Sequence, residues 1–489
     1  MRPTPEQERA IRAFTAGENF RLRAVAGSGK TTTLRMLAEA SPKKKLLYVA
    51  FNRSVAEEAR AKFPPNTTVR TLHSMAYRHV VVGPWKKKFE AGRGRIPARH
   101  VMEETGLSPL FATVLRSTIE KFLRSDQPEP NRAHVPAEFR EYRTKLVGRE
   151  NWKREERELV RQARRIWRRM QDPDDPFPIN HDTYVRLWRD RGGKLTDVDA
   201  VLVDEAQDLD PVFRDVLERS EVQKVYVGDP LQQIYAWRGA INAMDALKGK
   251  EYPLTHSFRF GEEVASFVRW AVKVLSGKEI PLVGAAPWAS RVLHAEDPAL
   301  EETPFAILAR TNIGVVDAAV THADEGVHVV GGVKELAWLL EDAEALRQGW
   351  RRDRVHPELS AFDAWDDVEQ LAEEARHPVA IILLRLAAQH GDLLRLARRL
   401  EAAHEEDERT ARVVVSTVHK AKGREWDRVR VWNDYPPFEE LDYDEEEVNI
   451  LYVALTRARR VLDVGEIEIG LREVQARKAG LAKRAEPWS

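Results

Sequence analysis

The segment AVAGSGKTTT at 24–33 most constrains what this 489-residue chain can fold into. Phe20 to Val25 alternates as a short strand does. Gly27 and Gly29 permit a tight turn, and Thr31 to Ala40 reads as a helix whose N-terminus faces that turn. Backbone N–H groups of such a turn can point at phosphate oxygens. Lys30 can reach β- and γ-phosphates, and the Thr31 hydroxyl can hold Mg2+. The strict pattern has Gly where Ala24 stands. Ala26, Gly27, Ser28, Gly29, Lys30, Thr31 and Thr32 are the residues this places against a nucleotide. Taken alone, the segment also fits a glycine-rich turn with a chance lysine.

A second segment, VLVDEAQD at 201–208, narrows the choice. Ala200 to Val203 is a strand of the fully buried type, and Asp204 follows its carboxyl end, where ligands bind in open α/β sheets. Asp204 is expected to hold Mg2+, directly or through water, and Glu205 to orient the attacking water. An isolated acidic pair is commonly a solvated loop; directly after a buried strand, beside a phosphate cradle, it indicates a nucleoside triphosphatase. Then comes VYVGDPLQQIYAWRGA at 225–240. Asp229 and Gln232 can sense a γ-phosphate, while Tyr235, Trp237 and Arg238 can stack unpaired bases. Composition alone leaves open that both aromatics are core residues.

Composition sets bounds. The chain has 78 basic and 78 acidic residues, so bulk charge offers no support for a polyanionic partner and any such surface is local. The segment 139–170 is locally basic, as a salt-bridge-laced helix or as a strand-contacting face. Cysteine is absent, which excludes disulfides and cysteine-ligated metal and fits an intracellular, cytoplasmic setting. No run of about 18 apolar residues could cross a membrane, and the N-terminus carries no secretory signal.

Strand–helix alternation fills 1–75, lapses into helical spacing over 80–195, and resumes near 198–240, 292–335 and 411–465, the last including ARVVVSTVH, RVRVWND and VLDVGEIEI. A helical stretch separates the last two. We therefore expect an α/β fold with two parallel-sheet cores, each interrupted by helices.

These motifs, in this order, resemble a superfamily 1 DNA helicase of the UvrD/Rep/PcrA type. PTPEQERAI at 3–11 resembles the adenine-reading Q motif. VAFNRSVAEEA at 49–59 and TLHSMAYR at 71–78 resemble motifs Ia and Ib, and LTHSFRFGEEV at 254–264 motif IV. VSTVHKAKGREWDRV at 415–429 and EEEVNILYVALTRARR at 445–460 resemble motifs V and VI, in wording closest to the F-box DNA helicase branch. The Q motif stands almost at Met1, so no F-box-like segment is expected before it.

The resemblance implies RecA-like ATP-binding cores at 1–79 with 196–250 and at 251–346 with 409–489, a helical insertion at 80–195, and a reduced accessory insertion at 347–408. It implies that Gln7 reads adenine, Phe258 stacks on it and Glu425 touches the ribose. It further implies that Gln232 couples phosphate state to movement and that Arg259 and Arg457 act as arginine fingers. Phe51, Asn52, His73, Tyr235, Trp237, Arg238 and His419 would line a single-strand channel. Without motif register, Arg259 and Arg457 read as surface salt bridges, and His73 and His419 as structural histidines. Relatives carry a large accessory domain between motifs IV and V, and an aromatic duplex-splitting pin after motif VI. Here only 347–408 is available for the first, and Trp488 is the one aromatic after Val461. The expected function is ATP-driven 3′-to-5′ movement on single-stranded DNA and at single-strand/duplex junctions, in repair, recombination or replication, with Mg2+. The alternative is an ATP-responsive subunit of a larger nuclease or anti-phage assembly, whose unwinding depends on a protein partner.

Overall fold

The computed structural model describes residues 2–50, 53–234, 243–295, 297, 305–350, 356, 359, 362, 364–373, 378–436, 438 and 445–485. They form two compact units, Met1–Ala24 with Gly29–Leu254, and Val25–Ser28 with Thr255–Ser489.

In the first unit the strands are β1 (Phe20–Ala24), β2 (Leu46–Ala50), β3 (Thr67–Thr71), β4 (Ala200–Val203), β5 (Gln223–Gly228) and β6 (Lys250–Leu254), ordered β3-β2-β4-β5-β1-β6. Every pairing is parallel. Successive side chains of a strand point to opposite faces, so β2 and β4 serve two cores. Leu46, Tyr48, Ala200 and Leu202 pack with Phe14, Phe20 and Leu34 on one face. Leu47, Val49, Val201 and Val203 pack on the other with Trp85, Trp167 and Trp188 of the helical insertion. The insertion is thus continuous with the sheet's own core. Its Arg149–Gln171 helix buries Trp152, Leu159, Ala163, Ile166, Trp167 and Met170. Its polar side is laced by Arg140–Glu156, Arg143–Glu155 and Arg161–Glu158 pairs. The sheet extends beyond the expected boundary at 250, because β6 pairs along β1 as far as Ala24↔Leu254.

The second unit opens with a parallel two-residue pairing of β7 (His256–Ser257) and β8 (Val283–Gly284). Its main sheet contains β9 (Arg291–Leu293), β10 (Phe305–Ala309), β11 (Val327–Val329), β12 (Val413–Thr417), β13 (Trp426–Val431) and β14 (Ala458–Asp463), in the order β11-β12-β10-β13-β14-β9. All of these pairings are parallel as well.

The stretch expected as an accessory insertion packs into this sheet's core. Leu383 and Leu386 of the Pro378–His390 helix, and Leu396 and Leu400 of the Leu393–Ala403 helix, share one cluster with Phe305, Ile307 and Val415. One expectation is overturned. The strand read through VLDVGEIEI ends at Asp463, and Gly465–Ala485 is a helix. The alternation Ile467, Ile469 suggested a strand. Ile467, Leu471 and Val474, spaced by four and three, are buried, while Ile469 is 52% exposed.

Candidate nucleotide site and motif residues

Between β1 and the Lys30–Glu39 helix the chain turns tightly, with Ser28 N donating to Val25 O at 3.2 Å. Gly27 and Gly29 have φ of 74° and 75°, a left-handed conformation that glycine adopts without steric cost. Gly29 caps the helix with no side-chain hydrogen bond, so the first-turn N–H groups lack a side-chain acceptor. Ala26 is buried in the turn, and Ser28 Oγ is buried without a hydrogen-bond partner among the described residues. Thr32 lies half-buried in the first helical turn. Ala26 N donates to Tyr452 Oη at 3.0 Å, so the anion-accepting capacity of the turn lies with Ser28 Oγ and the first-turn N–H groups.

Asp204 leaves β4 at the same end of the sheet. Its Oδ2 accepts from Thr31 Oγ1 at 2.9 Å and from Tyr48 Oη at 2.6 Å, and its Oδ1 accepts from Glu205 N at 2.9 Å. Glu205 sits at φ 51°, a strained position for a residue with a Cβ. Its Oε2 accepts from Lys30 Nζ at 2.7 Å and from Gln207 Nε2 at 2.7 Å. Burial works against the Lys30 charge, yet the carboxylates of Glu205, Asp204 and Asp229 hold its pKa above the usual lysine value. Burial, and then the charge of Glu205, raise the Asp204 pKa. Burial also raises the Tyr48 pKa, which keeps its hydroxyl a donor.

Asp229 N donates to Gln207 Oε1 at 3.1 Å, and Gln232 Nε2 to Asp229 Oδ2 at 2.8 Å, so Gln232 joins the network through two side chains. Gln7 is buried: its Nε2 donates to Thr33 Oγ1 at 3.0 Å, and its Oε1 accepts from Thr4 N at 3.0 Å in a capping box. His73 follows β3 on the Leu72–Val80 helix, its ring 5.3 Å from that of Phe213 and its Nε2 3.9 Å from Asp182 Oδ1. Phe51, Asn52, Tyr235, Trp237 and Arg238 lie outside the described residues.

The first unit therefore brings Lys30, Thr31, Asp204, Glu205 and Gln232 together. Sequence reasoning missed Tyr48. Inside an apolar strand it carries no motif signal, and only the adjacency of β2 to β4 places it beside Asp204.

In the second unit, Phe258 follows β7 and is 40% exposed. Arg259 Nε donates to Glu425 Oε2 at 2.7 Å, and its Nη1 to Thr456 O at 2.9 Å. Arg457 is 1% exposed. Its guanidinium donates to Val453 O at 2.9 Å, Arg424 O at 3.3 Å and Thr456 Oγ1 at 3.1 Å. Thr456 thus links the two arginines. His419 is half-buried on the short Val418–Ala421 helix, which Thr417 caps.

Residues 412–462 match the UvrD-like helicase C-terminal domain, and residues 7–238 match an AAA domain. F-box DNA helicase 1 of Gallus gallus is 30% identical over 502 residues, covering 94% of this chain and 48% of that protein. Residues 412–462 thus carry a UvrD-like helicase C-terminal domain. A second relative, F-box DNA helicase protein 1 of Schizosaccharomyces pombe, is 28% identical over 539 residues, covering 99% of this chain and 59% of that protein. The chain therefore spans between 48% and 59% of the length of these curated relatives. Among solved structures, the PRRSV helicase is similar at 12% identity and a TM-score of 0.35, covering 95% of this chain and 56% of that one. The UvrD-like segment holds His419, Glu425 and Arg457, and the AAA segment runs from Gln7 through Lys30, Asp204 and Gln232. No helix among the described residues is long and apolar enough to cross a membrane.

Proposed function

We propose that this chain hydrolyses ATP to move 3′ to 5′ along single-stranded DNA, engaging single-strand/duplex junctions in repair, recombination or replication. The observation that carries the reading is the buried contact of Lys30 with Glu205 beside Thr31 and Asp204. Lys30 is charged and already paired, so a phosphate of ATP competes with Glu205 for its ammonium. Glu205, released from Lys30, accepts a hydrogen bond from the attacking water and orients it. The hydroxyl of Thr31 and the carboxylate of Asp204 are hard oxygen donors of the kind Mg2+ takes; when bound, the ion would neutralise charge developing on the transferred phosphoryl group. Tyr48 steadies Asp204 by its hydrogen bond. Gln7 and Phe258 are proposed to recognise adenine, Glu425 the ribose, and Arg259 and Arg457 to stabilise transition-state charge. Gln232 reports phosphate state through Asp229. His73 and His419, with Phe51, Asn52, Tyr235, Trp237 and Arg238, contact the strand.

The test is steady-state ATP hydrolysis by the purified chain with and without single-stranded DNA. Stimulation by DNA, followed by displacement of duplexes with 3′ tails and not 5′ tails, supports the reading. Hydrolysis indifferent to DNA would sink it. Hydrolysis that responds to DNA without strand displacement favours a translocase that needs a protein partner. The sharing of one core between the 365–403 helices and the second sheet fits that outcome.

A further inference from the structure

One cluster in the second unit has no part in the reading above. Trp288 lies half-buried in the loop between β8 and β9. The guanidinium groups of Arg459 and Arg460 stand 5.0 Å and 5.5 Å from its ring centroid. Its indole Nε1 donates to the backbone carbonyl of Arg459 at 3.1 Å, which fixes the ring to β14. Arg459 reaches on towards two carboxylates, with Nε 3.9 Å from Glu425 Oε1 and Nη1 3.5 Å from Asp427 Oδ1. The other oxygen of Glu425 accepts from Arg259. The Trp288 loop also braces the backbone beyond Arg259. Gly261 N donates to Ser290 Oγ at 3.0 Å, and a Cβ at Gly261 would stand 3.4 Å from the Trp288 carbonyl oxygen.

The Glu425 side chain is 45% exposed. An ion pair with that much solvent around it is too weak to hold two long side chains in one geometry unaided. A guanidinium stacked on an indole is already oriented, so it loses less freedom when it pairs.

We propose that Trp288 and Arg459 are positioning residues for Arg259: their stack fixes the Glu425 carboxylate, which aims the Arg259 guanidinium. The inference rests on the proposed role of Arg259 in ATP hydrolysis. Glu425 and the Thr456 carbonyl together define the guanidinium plane, and Ser290 holds the turn that follows. Loss of the stack leaves Arg259 present but misaimed, and small misplacements of this kind reduce turnover more than binding.

The experiment is DNA-stimulated ATP hydrolysis by the full chain as wild type, Arg259→Ala, Trp288→Ala, Trp288→Phe, Arg459→Gln and the double variant Trp288→Ala/Arg259→Ala. Trp288→Ala and Arg459→Gln should each lower kcat about tenfold with KM within about twofold. Trp288→Phe, which keeps an aromatic face, should recover most of the loss. Trp288→Ala should cost nothing further in the Arg259→Ala background, since both act through one group. Full activity of Trp288→Ala and Arg459→Gln beside an impaired Arg259→Ala overturns the positioning role alone, as does additivity in the double variant. Full activity of Arg259→Ala overturns both the inference and the role it rests on. Arg459 is 36% exposed, so Arg459→Gln supplies the decisive comparison where Trp288→Ala does not fold.

Discussion

The two units handle buried charge in opposite ways. In the first, Lys30 meets Glu205 at 2.7 Å, and the Lys30 and Glu205 side chains are 11% and 25% exposed. A cation and carboxylates from segments far apart in sequence neutralise one another inside the fold. In the second, Arg457 is buried yet spends its guanidinium on two backbone carbonyls and one hydroxyl, while Arg259 leans on the half-exposed Glu425. The first arrangement is a charge network that an incoming anion must enter. In the second, the contacts described are to backbone carbonyls, a hydroxyl and a carboxylate that solvent already reaches. Removing one member of a buried ion pair leaves an uncompensated charge, whereas loosening a solvent-exposed pair contributes ~0–1 kcal/mol.

Breaking the first network should have the largest effect. Lys30→Ala should lower ATP turnover by about 100- to 1,000-fold, the scale for loss of one preorganised electrostatic group. It should also lower unfolding stability by roughly 3 kcal/mol, because Glu205 and Asp204 lose their buried cation. Turnover within twofold of wild type would refute the site. Arg457→Lys tests the second arrangement. A lysine keeps the charge and loses the fork that reaches Val453 O, Arg424 O and Thr456 Oγ1 together, so turnover should fall about 100-fold with a smaller stability loss, on the order of 1–2 kcal/mol. Equal stability losses in the two variants would erase the contrast. Tyr48→Phe refines the first site. It removes one of two hydroxyl donors to Asp204 Oδ2 and should weaken Mg2+ dependence about tenfold, read as the Mg2+ concentration for half-maximal hydrolysis.

The asymmetry also explains what could be read in the sequence. Lys30, Thr31, Asp204 and Glu205 were legible because each stands at a fixed offset from a strand end or a glycine turn, and local spacing carries that information. Tyr48 was not, because its role follows from strand order. The pairing of Arg259 with Glu425 joins positions 166 residues apart, and nothing in either segment announces it. For Arg259 and Arg457 the residues alone suggested surface salt bridges; family resemblance supplied the functional role, and the structure shows Arg457 buried instead. The alternating apolar pattern of 461–469 indicated a strand because two turns of helix and a short strand overlap at that length, and burial of Leu471 and Val474 decides for the helix. The 347–408 stretch announced helices, but the sheet face they cover depends on contacts with Phe305 and Val415.

The smallest effect separates two aspartates that burial pushes to the same value. Asp210, the cap of the Pro211–Arg219 helix, and Asp434, which accepts from Arg310 N, Thr311 N and Thr311 Oγ1, are each raised to about 6 by burial. An aspartate raised in the fold binds its proton more tightly there than in the unfolded chain, where its pKa is about 3.9. Each should therefore subtract stability as pH rises from about 4 to about 6, with the loss complete above that window. Asparagine removes the titration, and its consequences differ between the two sites. At 210 one acceptor atom serves Phe213 N at 2.8 Å, and asparagine is an equally good cap. Asp210→Asn should gain about 1 kcal/mol relative to wild type between pH 4.5 and pH 7.5, measured by urea unfolding. At 434 both oxygens accept, so an amide must turn its NH2 towards a donor and should cost roughly 1–3 kcal/mol at pH 7.5. A flat difference between Asp210→Asn and wild type across that range would show that Asp210 does not titrate near 6. A gain at 434 would show that its donors tolerate the amide, and the two aspartates would then be equivalent despite their different hydrogen bonding.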